Sequence, residues 1–193
     1  MAKTVLELDF HPVTPERWGD LEKLFGPRGA IGGCWCMWWR IKRAEFGKQQ
    51  GDGNHEAMCS IVESGKVPGI LAYSAGEPVA WCSIAPRDEF SVLDRSPVLK
   101  RVDHQPVWSI VCFFMAKDYR HQGLSAIMLQ AAVEYASQHG ARIVEGYPVE
   151  PKVDRTPDSY AFTGMTSTFK KLGFQEVARR SEFRPIMRYF IEQ

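Results

Sequence analysis

The stretch that most constrains the fold is an apolar run that leads through a polar loop into an amphipathic helix. The run is VWSIVCFFM at 107–115. An almost unbroken apolar run of this length is typical of a strand buried on both faces in the middle of a sheet. From Gly123 to His139, apolar residues then recur at helical spacing: Leu124, Ile127, Met128, Ala131 and Tyr135. A buried strand followed by a packed helix favours a layered α/β domain.

The remaining patterns complete one mixed α/β domain over residues 1–193, because no internal repeat or linker divides the chain. We predict a first strand at 4–10 and a first helix from the Thr14 N-cap to Gly26. Two β-rich runs at 70–74 and 78–84, joined by Ala-Gly-Glu, are typical of a hairpin. The other predicted elements are a helix in 54–64, a short helix near 92–101, a strand at 141–149, a last helix within 162–174 and closing strands at 175–180 and 185–191.

Charge and composition argue against several classes of partner. The net charge of +1 gives no electrostatic reason to expect nucleic acid or an anionic membrane. No apolar run approaches the roughly 18 to 20 residues that cross a bilayer. Glu7 and Asp9 lie where a signal peptide would be apolar, and the five cysteines are an odd number. We therefore expect a cytoplasmic protein with reduced thiols.

The loop between the central strand and the helix is a candidate anion site. Gly123 stands at the mouth of the helix, and the small residues Ser125 and Ala126 follow in its first turn. The first N–H groups of a helix lack internal partners and carry partial positive charge, so a phosphate could bind there. The glycine could also serve a steric purpose alone. The loop lacks the glycine spacing of a P-loop or of a dinucleotide fold.

Residues 120–125, Arg-His-Gln-Gly-Leu-Ser, resemble the acetyl-CoA signature of the GNAT family of N-acetyltransferases, Arg/Gln-x-x-Gly-x-Gly/Ala, with serine in the last place. The setting adds to the resemblance. Phe113 and Met115 occupy the family's alternating apolar positions on the preceding strand, and Leu-Gly-Phe at 172–174 matches the turn after its last helix. The resemblance covers nearly the whole chain.

This resemblance implies a GNAT-like domain with a central, mostly antiparallel, twisted sheet flanked by helices, and acetyl-CoA as co-substrate. The pantetheine arm would lie along strand 110–115, in a gap beside strand 142–147. A backbone N–H around Phe114 or Met115 would polarise the acyl carbonyl. An amine would attack directly, so Cys112 is interpreted as packing. The implied cofactor-binding residues are Phe113, Phe114, Met115, Arg120, His121, Gln122, Gly123, Leu124, Ser125, Ala126 and Phe169.

One position departs from the family pattern. The family often has a tyrosine four residues before the Gly-Phe of the last helix, where it protonates the leaving thiolate, and this chain has Phe169 there. A phenyl ring has no proton to give, so we expect Phe169 to pack against the cofactor. Thr166, Ser167 and Tyr160 are the nearby hydroxyl groups, and we take Ser167 as the candidate catalytic acid.

The candidate general base is Glu145, an acidic residue within an otherwise apolar strand beside the expected gap. The alternative is a solvent-facing position on an alternating strand. Asp103 and His104, just before the central strand, are weaker candidates.

The stretch GGCWCMWWR at 32–40 has four interpretations. A zinc site would need two further ligands at workable spacing, which do not follow, so we predict no metal. The Cys-x-Cys spacing excludes Cys-x-x-Cys redox chemistry. Core packing and an aromatic wall of the acceptor pocket stay open. The wall would consist of Trp35, Trp38 and Trp39, with Trp81 from the hairpin facing the same space.

The leading functional hypothesis is an N-acetyltransferase that transfers an acetyl group to a primary amine of a small molecule in a ternary complex. Two alternatives are acetylation of a protein N-terminus or lysine and a non-catalytic CoA-binding sensor, which the phenylalanine at 169 favours. The sequence is compatible with a homodimer.

Overall fold

The computed structural model describes residues 7–151 and 161–192, which form a mixed α/β fold around one seven-stranded sheet. The spatial order of the strands is β1-β2-β3-β4-β5-β7-β6, and only β4 and β5 pair in parallel. The predicted mostly antiparallel sheet flanked by helices is confirmed. The strands are β1 Asp9–Pro12, β2 Ile70–Ser74, β3 Glu77–Pro86, β4 Trp108–Met115, β5 Ile143–Gly146, β6 Gln175–Arg179 and β7 Pro185–Phe190.

Two boundaries at the start of the chain differ from the predictions. The strand predicted at 4–10 begins at Asp9 in the described residues and runs on to Pro12, while residues 4–6 lie outside them. The first α-helix begins only at Trp18, because Pro15–Arg17 form a 3-10 turn. Its C-cap is Gly26, as predicted. The helices are α1 Trp18–Phe25, α2 Arg43–Lys48, α3 Asp52–Glu63, α4 Ser91–Arg95, α5 Leu124–Gln138 and α6 Thr166–Lys171.

The sheet has a hydrophobic core on each face. One core packs α1, α3, α4 and the segment 26–51 against the sheet, and the other packs α5 and α6. The buried face of α5 differs in part from the one predicted: Ile127 is 40% exposed, whereas Leu129, Ala132 and Ala136 are buried. A helix that lies flat on a sheet contacts it with a broad face, so small alanines can take the place of a narrow stripe of large residues.

The central strand β4 opens away from β5 halfway along its length. The two strands pair only from Trp108↔Val144 to Ile110↔Gly146. On its other edge, the register of β4 with β3 shifts between Ser83 and Ile84, which leaves Val111 as an extra residue. Such a bulge bends its strand and increases the local twist. The C-terminal half of β4 therefore borders an opening, which has the position of the gap predicted from the sequence.

No helix in the described part of the chain is long and apolar enough to span a bilayer.

Candidate active site

The backbone of β4 presents alternate N–H groups to the opening. The N–H of Ala116 donates to the Val79 carbonyl of β3 across 2.9 Å. Because backbone groups alternate between the two edges of a strand, the N–H of Phe114 also faces β3 and that of Met115 faces the opening. The Met115 carbonyl, which points the same way as its N–H, accepts a hydrogen bond of 3.1 Å from Arg120 Nε. Of the two predicted amide donors, Met115 has the required direction.

The loop from β4 to α5 turns sharply just before the first amides of the helix. His121 and Gly123 both have positive φ angles, 60° and 83°. A side-chain bond from Gln122 Nε2 to the Asp118 carbonyl, 2.6 Å, closes the loop. A Cβ at Gly123 would meet nothing within 4 Å, so the backbone angle and not crowding requires glycine. This free space at a helix N-terminus suits the approach of an anion.

Phe169 lies inside the core and has no exposed surface. Its ring packs edge-to-face on Phe113 and Phe174, with centroid distances of 6.4 Å and 4.8 Å. Gly146 and Gly164 lie against the ring so closely that a Cβ at either position would clash with it. The ring thus packs against the end of β5 from inside the core. Because it is fully buried, it would act on the cofactor only indirectly, through its contact with Phe113.

The hydroxyl groups near Phe169 differ in environment. Ser167 is exposed on the first turn of α6. Thr166 is buried, and its Oγ1 has no hydrogen-bond partner among the described residues. Tyr160 lies outside the described residues.

Glu145 is 1% exposed, so it does not face solvent as the alternative interpretation required. Its Oε1 accepts hydrogen bonds from Arg87 Nη1 at 2.9 Å and from the Tyr147 hydroxyl at 2.7 Å, and its Oε2 accepts one from Arg188 Nε at 2.8 Å. Two guanidinium groups and a tyrosine hydroxyl thus donate to this buried side chain and occupy the lone pairs that a base would use. Glu145 is placed as the centre of an ion cluster.

The same cluster holds the other predicted base. Arg188 Nη1 and Nη2 donate to the two oxygens of Asp103 at 2.6 Å and 3.1 Å. These bonds lower the pKa of Asp103 to about 2. His104, the next residue in the chain, is exposed in the loop that precedes β4. A carboxylate with so low a pKa is a poor base near neutral pH.

Tyr147 is a member of this cluster that the sequence patterns did not predict. Its hydroxyl lies 2.8 Å from Ser109 Oγ, and burial raises its pKa well above the ordinary value. The only signal in the sequence is its position two residues after Glu145, which puts both side chains on one face of the strand.

The tryptophan-rich stretch is anchored beneath β3 and β4. Trp35 and Cys36 have positive φ angles of 44° and 54°, which turn the chain sharply. Cys36 Sγ lies 3.1 Å from Cys112 Sγ and accepts a hydrogen bond of 3.1 Å from Trp81 Nε1. Trp81 is fully buried. The prediction that Trp81 faces the acceptor is therefore corrected: its ring fills the core between the hairpin and the stretch.

Trp35 borders a cleft of about 650 Å³ between α1, α3 and the segment 26–51. The ring is 8% exposed and meets the His55 imidazole edge-to-face at 4.5 Å. His55 Nε2 lies 2.7 Å from Glu22 Oε1. The sequence patterns did not indicate this His–Glu pair, because its members are 33 residues apart on two different helices.

Trp38 and Trp39 border a second cleft, of about 380 Å³. Trp38 is 37% exposed and Trp39 is 7% exposed. Phe162 and Arg184 form the opposite side. Core packing and a cleft wall, the two interpretations left open, thus apply to different residues of one stretch.

Arg184 connects the second cleft to the opening beside β4. Its Nη1 donates to the Tyr147 carbonyl at 3.4 Å and to Thr163 Oγ1 at 3.1 Å. Tyr147 directly follows Gly146, which forms the last pair between β5 and β4. The cleft therefore adjoins the point where the two strands separate.

Within residues 7–151 and 161–192, no group of three or more His, Cys, Asp or Glu side chains is placed to hold a metal ion. All five cysteines are free thiols.

Comparison with known proteins places this arrangement in a family. The model of the acetyltransferase (GNAT) family matches residues 35–153. No curated protein matches the sequence.

Solved structures with the same fold include a GNAT-family acetyltransferase from Listeria monocytogenes, with a TM-score of 0.61 and 13% identity over 99% of each chain. The PaiA N-acetyltransferase of Thermoplasma acidophilum, in complex with coenzyme A, has a TM-score of 0.53 and 10% identity over 96% of this chain and 100% of that chain. The aminoglycoside N-acetyltransferase AAC(6')-Iy, also in complex with CoA, has a TM-score of 0.54 and 15% identity over 95% and 98%. At these identities the likeness concerns the fold alone.

Proposed function

Because the chain belongs to the acetyltransferase (GNAT) family, we propose that it transfers the acetyl group of acetyl-CoA to a primary amine of a small molecule. Acetyl-CoA as co-substrate is consistent with the family. The observation that carries the proposal is the opening between β4 and β5, which lies between the loop at the N-terminus of α5 and the Trp38–Arg184 cleft.

In this proposal the backbone holds the co-substrate. The Ala126 N–H donates to the Gly123 carbonyl at 3.0 Å, so the amides from Gln122 to Ser125 are the ones that bind the pyrophosphate, with Arg120 and His121 flanking it. The pantetheine arm follows β4 past Phe113 and Phe114, and the Met115 N–H donates to the acetyl carbonyl oxygen. That donor stabilises the negative charge that the oxygen gains when the amine attacks.

The reaction then needs two proton movements. The amine nitrogen attacks the acetyl carbon, the C–S bond breaks, and the CoA thiolate leaves with the bonding electrons. The product amide loses a proton, and the thiolate gains one. Since Glu145 and Asp103 are held by arginines, we propose that water accepts the first proton, and Ser167 remains the candidate donor of the second.

A thiol-release assay with acetyl-CoA and a panel of small amines tests the proposal. We expect release that depends on the amine, and mass spectrometry should show an N-acetylated product. Acetyl-CoA binding without turnover on any amine would favour the sensor, for which the buried Phe169 is the supporting observation. Turnover only on peptides would favour protein acetylation.

We also propose that residues 1–193 form one acyltransferase domain. The five free thiols support a reducing compartment such as the cytoplasm as its place of action. Activity of the purified chain without any other protein tests the first part.

A further inference from the structure

The charges around the acceptor-side clefts have one sign. A third cleft, of about 330 Å³, shares Trp39, Arg43 and Ser96 with the Trp38–Arg184 cleft. The ionisable residues that line these two clefts are Lys42, Arg43, Arg95 and Arg184. Within the described part of the chain, no aspartate or glutamate lines either cleft. A cationic substrate would meet only like charge there.

Of the four basic residues that line these two clefts, Arg184 is the one that contacts Tyr147, beside the opening. No carboxylate of the described residues pairs with it. Its polar contacts are the Tyr147 carbonyl and the Thr163 hydroxyl, which carry no net charge. By contrast, Arg188 and Arg87 at the neighbouring Glu145 cluster each bind carboxylates. Burial lowers the pKa of Arg184, as expected for a guanidinium whose charge is not compensated.

Arg43 brings a second uncompensated charge to the same walls. Its guanidinium carbon lies 3.2 Å from the centre of the Trp38 ring and 5.1 Å from that of Trp39. Arg43 Nη1 donates to the Trp38 carbonyl. Since a guanidinium stacked on an indole keeps its edge exposed, the other N–H groups are available to an anion. The Trp39 indole N–H is itself buried without an acceptor in the described residues.

The cleft at Trp35 provides an internal contrast. Its lining includes Glu22 and Asp52 as well as Arg28 and His55, so charges of both signs are present. The single sign on the acceptor side is therefore a local property and not a consequence of the overall charge, which is only +1.

We propose that the acceptor is a small primary amine that also carries an anionic group, a carboxylate or a phosphate, and that Arg184 binds this group in the Trp38–Arg184 cleft. This rests on the proposed function. Arg184 contacts the residue that follows the last β4–β5 pair, so an anion bound there holds the rest of a short substrate at the opening. Arg43 and the rings of Trp38 and Phe162 contact the remainder of the substrate.

Matched pairs of amines test the charge requirement. L-phenylalanine is compared with L-phenylalaninamide, and ethanolamine phosphate with ethanolamine, while spermidine represents cationic amines. We expect kcat/KM for at least one member that carries the anionic group to exceed that of the partner lacking it by about tenfold or more. The phenylalanine pair is a stringent test, since the amide has the larger neutral fraction of amine at a given pH. The two pairs separate carboxylate from phosphate recognition.

Variants of Arg184 test the assignment to this side chain. Arg184→Gln should lower kcat/KM for the preferred anionic amine by roughly 10- to 100-fold more than it lowers that for the partner lacking the anionic group. Arg184→Lys keeps the charge without the fork and should recover part of the preference. Arg142→Gln, exposed at the opposite end of β5, is the control and should change neither value. Thermal unfolding of each variant shows whether it is folded.

The outcomes separate the two proposals. Equal or faster acetylation of the amines without an anionic group, or of spermidine, would overturn the anionic acceptor and leave the proposed acetyltransferase activity unaffected. An anion preference that survives in a folded Arg184→Gln variant would overturn the role of Arg184. No acetylation of any amine, with acetyl-CoA still bound, would instead contradict the proposed function.

Discussion

The loop at 120–126 and the segment at 26–51 lie on the two sides of the same opening, but they are built in different ways. In the proposed function the loop binds through backbone amides, next to the positive φ angles of His121 and Gly123. The segment would contact the acceptor through side chains, whose position depends on contacts with α1, β3 and α3. A backbone site needs only a few residue types in a fixed order, so a short motif can reveal it. A wall of side chains depends on residues far away in sequence.

The largest effect that tests this comparison is expected at the loop. Gly123→Glu places a carboxylate in front of the first amides of α5, and repulsion of the pyrophosphate should weaken CoA binding by about 1,000-fold or more, which corresponds to about 4 kcal/mol. Isothermal titration calorimetry measures the affinity, and circular dichroism reports on the helix.

Gly140→Glu is the matched control for that variant. Gly140 follows the other end of α5 and has a φ angle of 81° against 83° at Gly123, and a Cβ added there would likewise meet nothing within 4 Å. Both variants thus carry similar backbone strain, and only the position relative to the proposed phosphate differs. Equal CoA affinity in the two variants would contradict the proposal that the loop at 120–126 binds the pyrophosphate.

Trp81 and Trp38 test which part of the tryptophan-rich stretch and its surroundings is core and which part borders a cleft. Trp81→Ala should lower the free energy of unfolding by about 3–5 kcal/mol, because the ring is fully buried. Trp38→Ala should cost far less stability, since the ring is 37% exposed, and should raise KM for the amine. Urea unfolding and steady-state kinetics measure the two effects. A large loss of stability in both variants would mean that the whole stretch is core.

Glu145→Gln tests whether the buried cluster is structural. Removing its charge leaves Arg87 paired only with Asp94 and Arg188 only with Asp103, both at the edge of the cluster. Because the buried centre of the cluster then lacks its carboxylate, we expect a loss of about 3 kcal/mol in the free energy of unfolding. The folded fraction should keep a pH–rate profile of unchanged shape, because Arg87, Tyr147 and Arg188 already occupy the side-chain oxygens of Glu145. A loss of about 100-fold or more in kcat with unchanged stability would instead identify a general base.

The smallest effect is expected at Asp103. Its pKa is about 2 in the folded protein, below the value of about 3.9 for a free aspartate, because Arg188 binds it. Its contribution to stability is therefore complete above about pH 4 and is lost as the pH falls towards 2. Asp103→Asn should remove this contribution, at most about 1 kcal/mol for so exposed a group, and should flatten the dependence of unfolding on pH in this range. Asp9→Asn, at the exposed first residue of β1, should leave that dependence intact.

The sequence predicted the sheet, the helices and the loop better than the side-chain roles. The alternation at 70–84 and the apolar run at 107–115 correspond to β2, β3 and β4 because the period of a strand is set locally. The partners of Glu145 come from residues 58 and 43 positions away. The same holds for Trp81, whose burial depends on Cys36 in another segment. Such contacts depend on tertiary packing, which no local pattern contains.

The two left-handed residues Trp35 and Cys36 have a consequence for how this protein can evolve. The chain before Trp38 is locked under the sheet by the Cys36 contacts with Trp81 and Cys112, whereas Trp38 and Arg43 project from the locked turn into solvent-accessible clefts. Because Trp38 is 37% exposed and Arg43 is exposed, we expect mutations at these two positions to cost little folding stability. Relatives that diverge towards new amines are expected to differ there first, while the turn behind it stays the same.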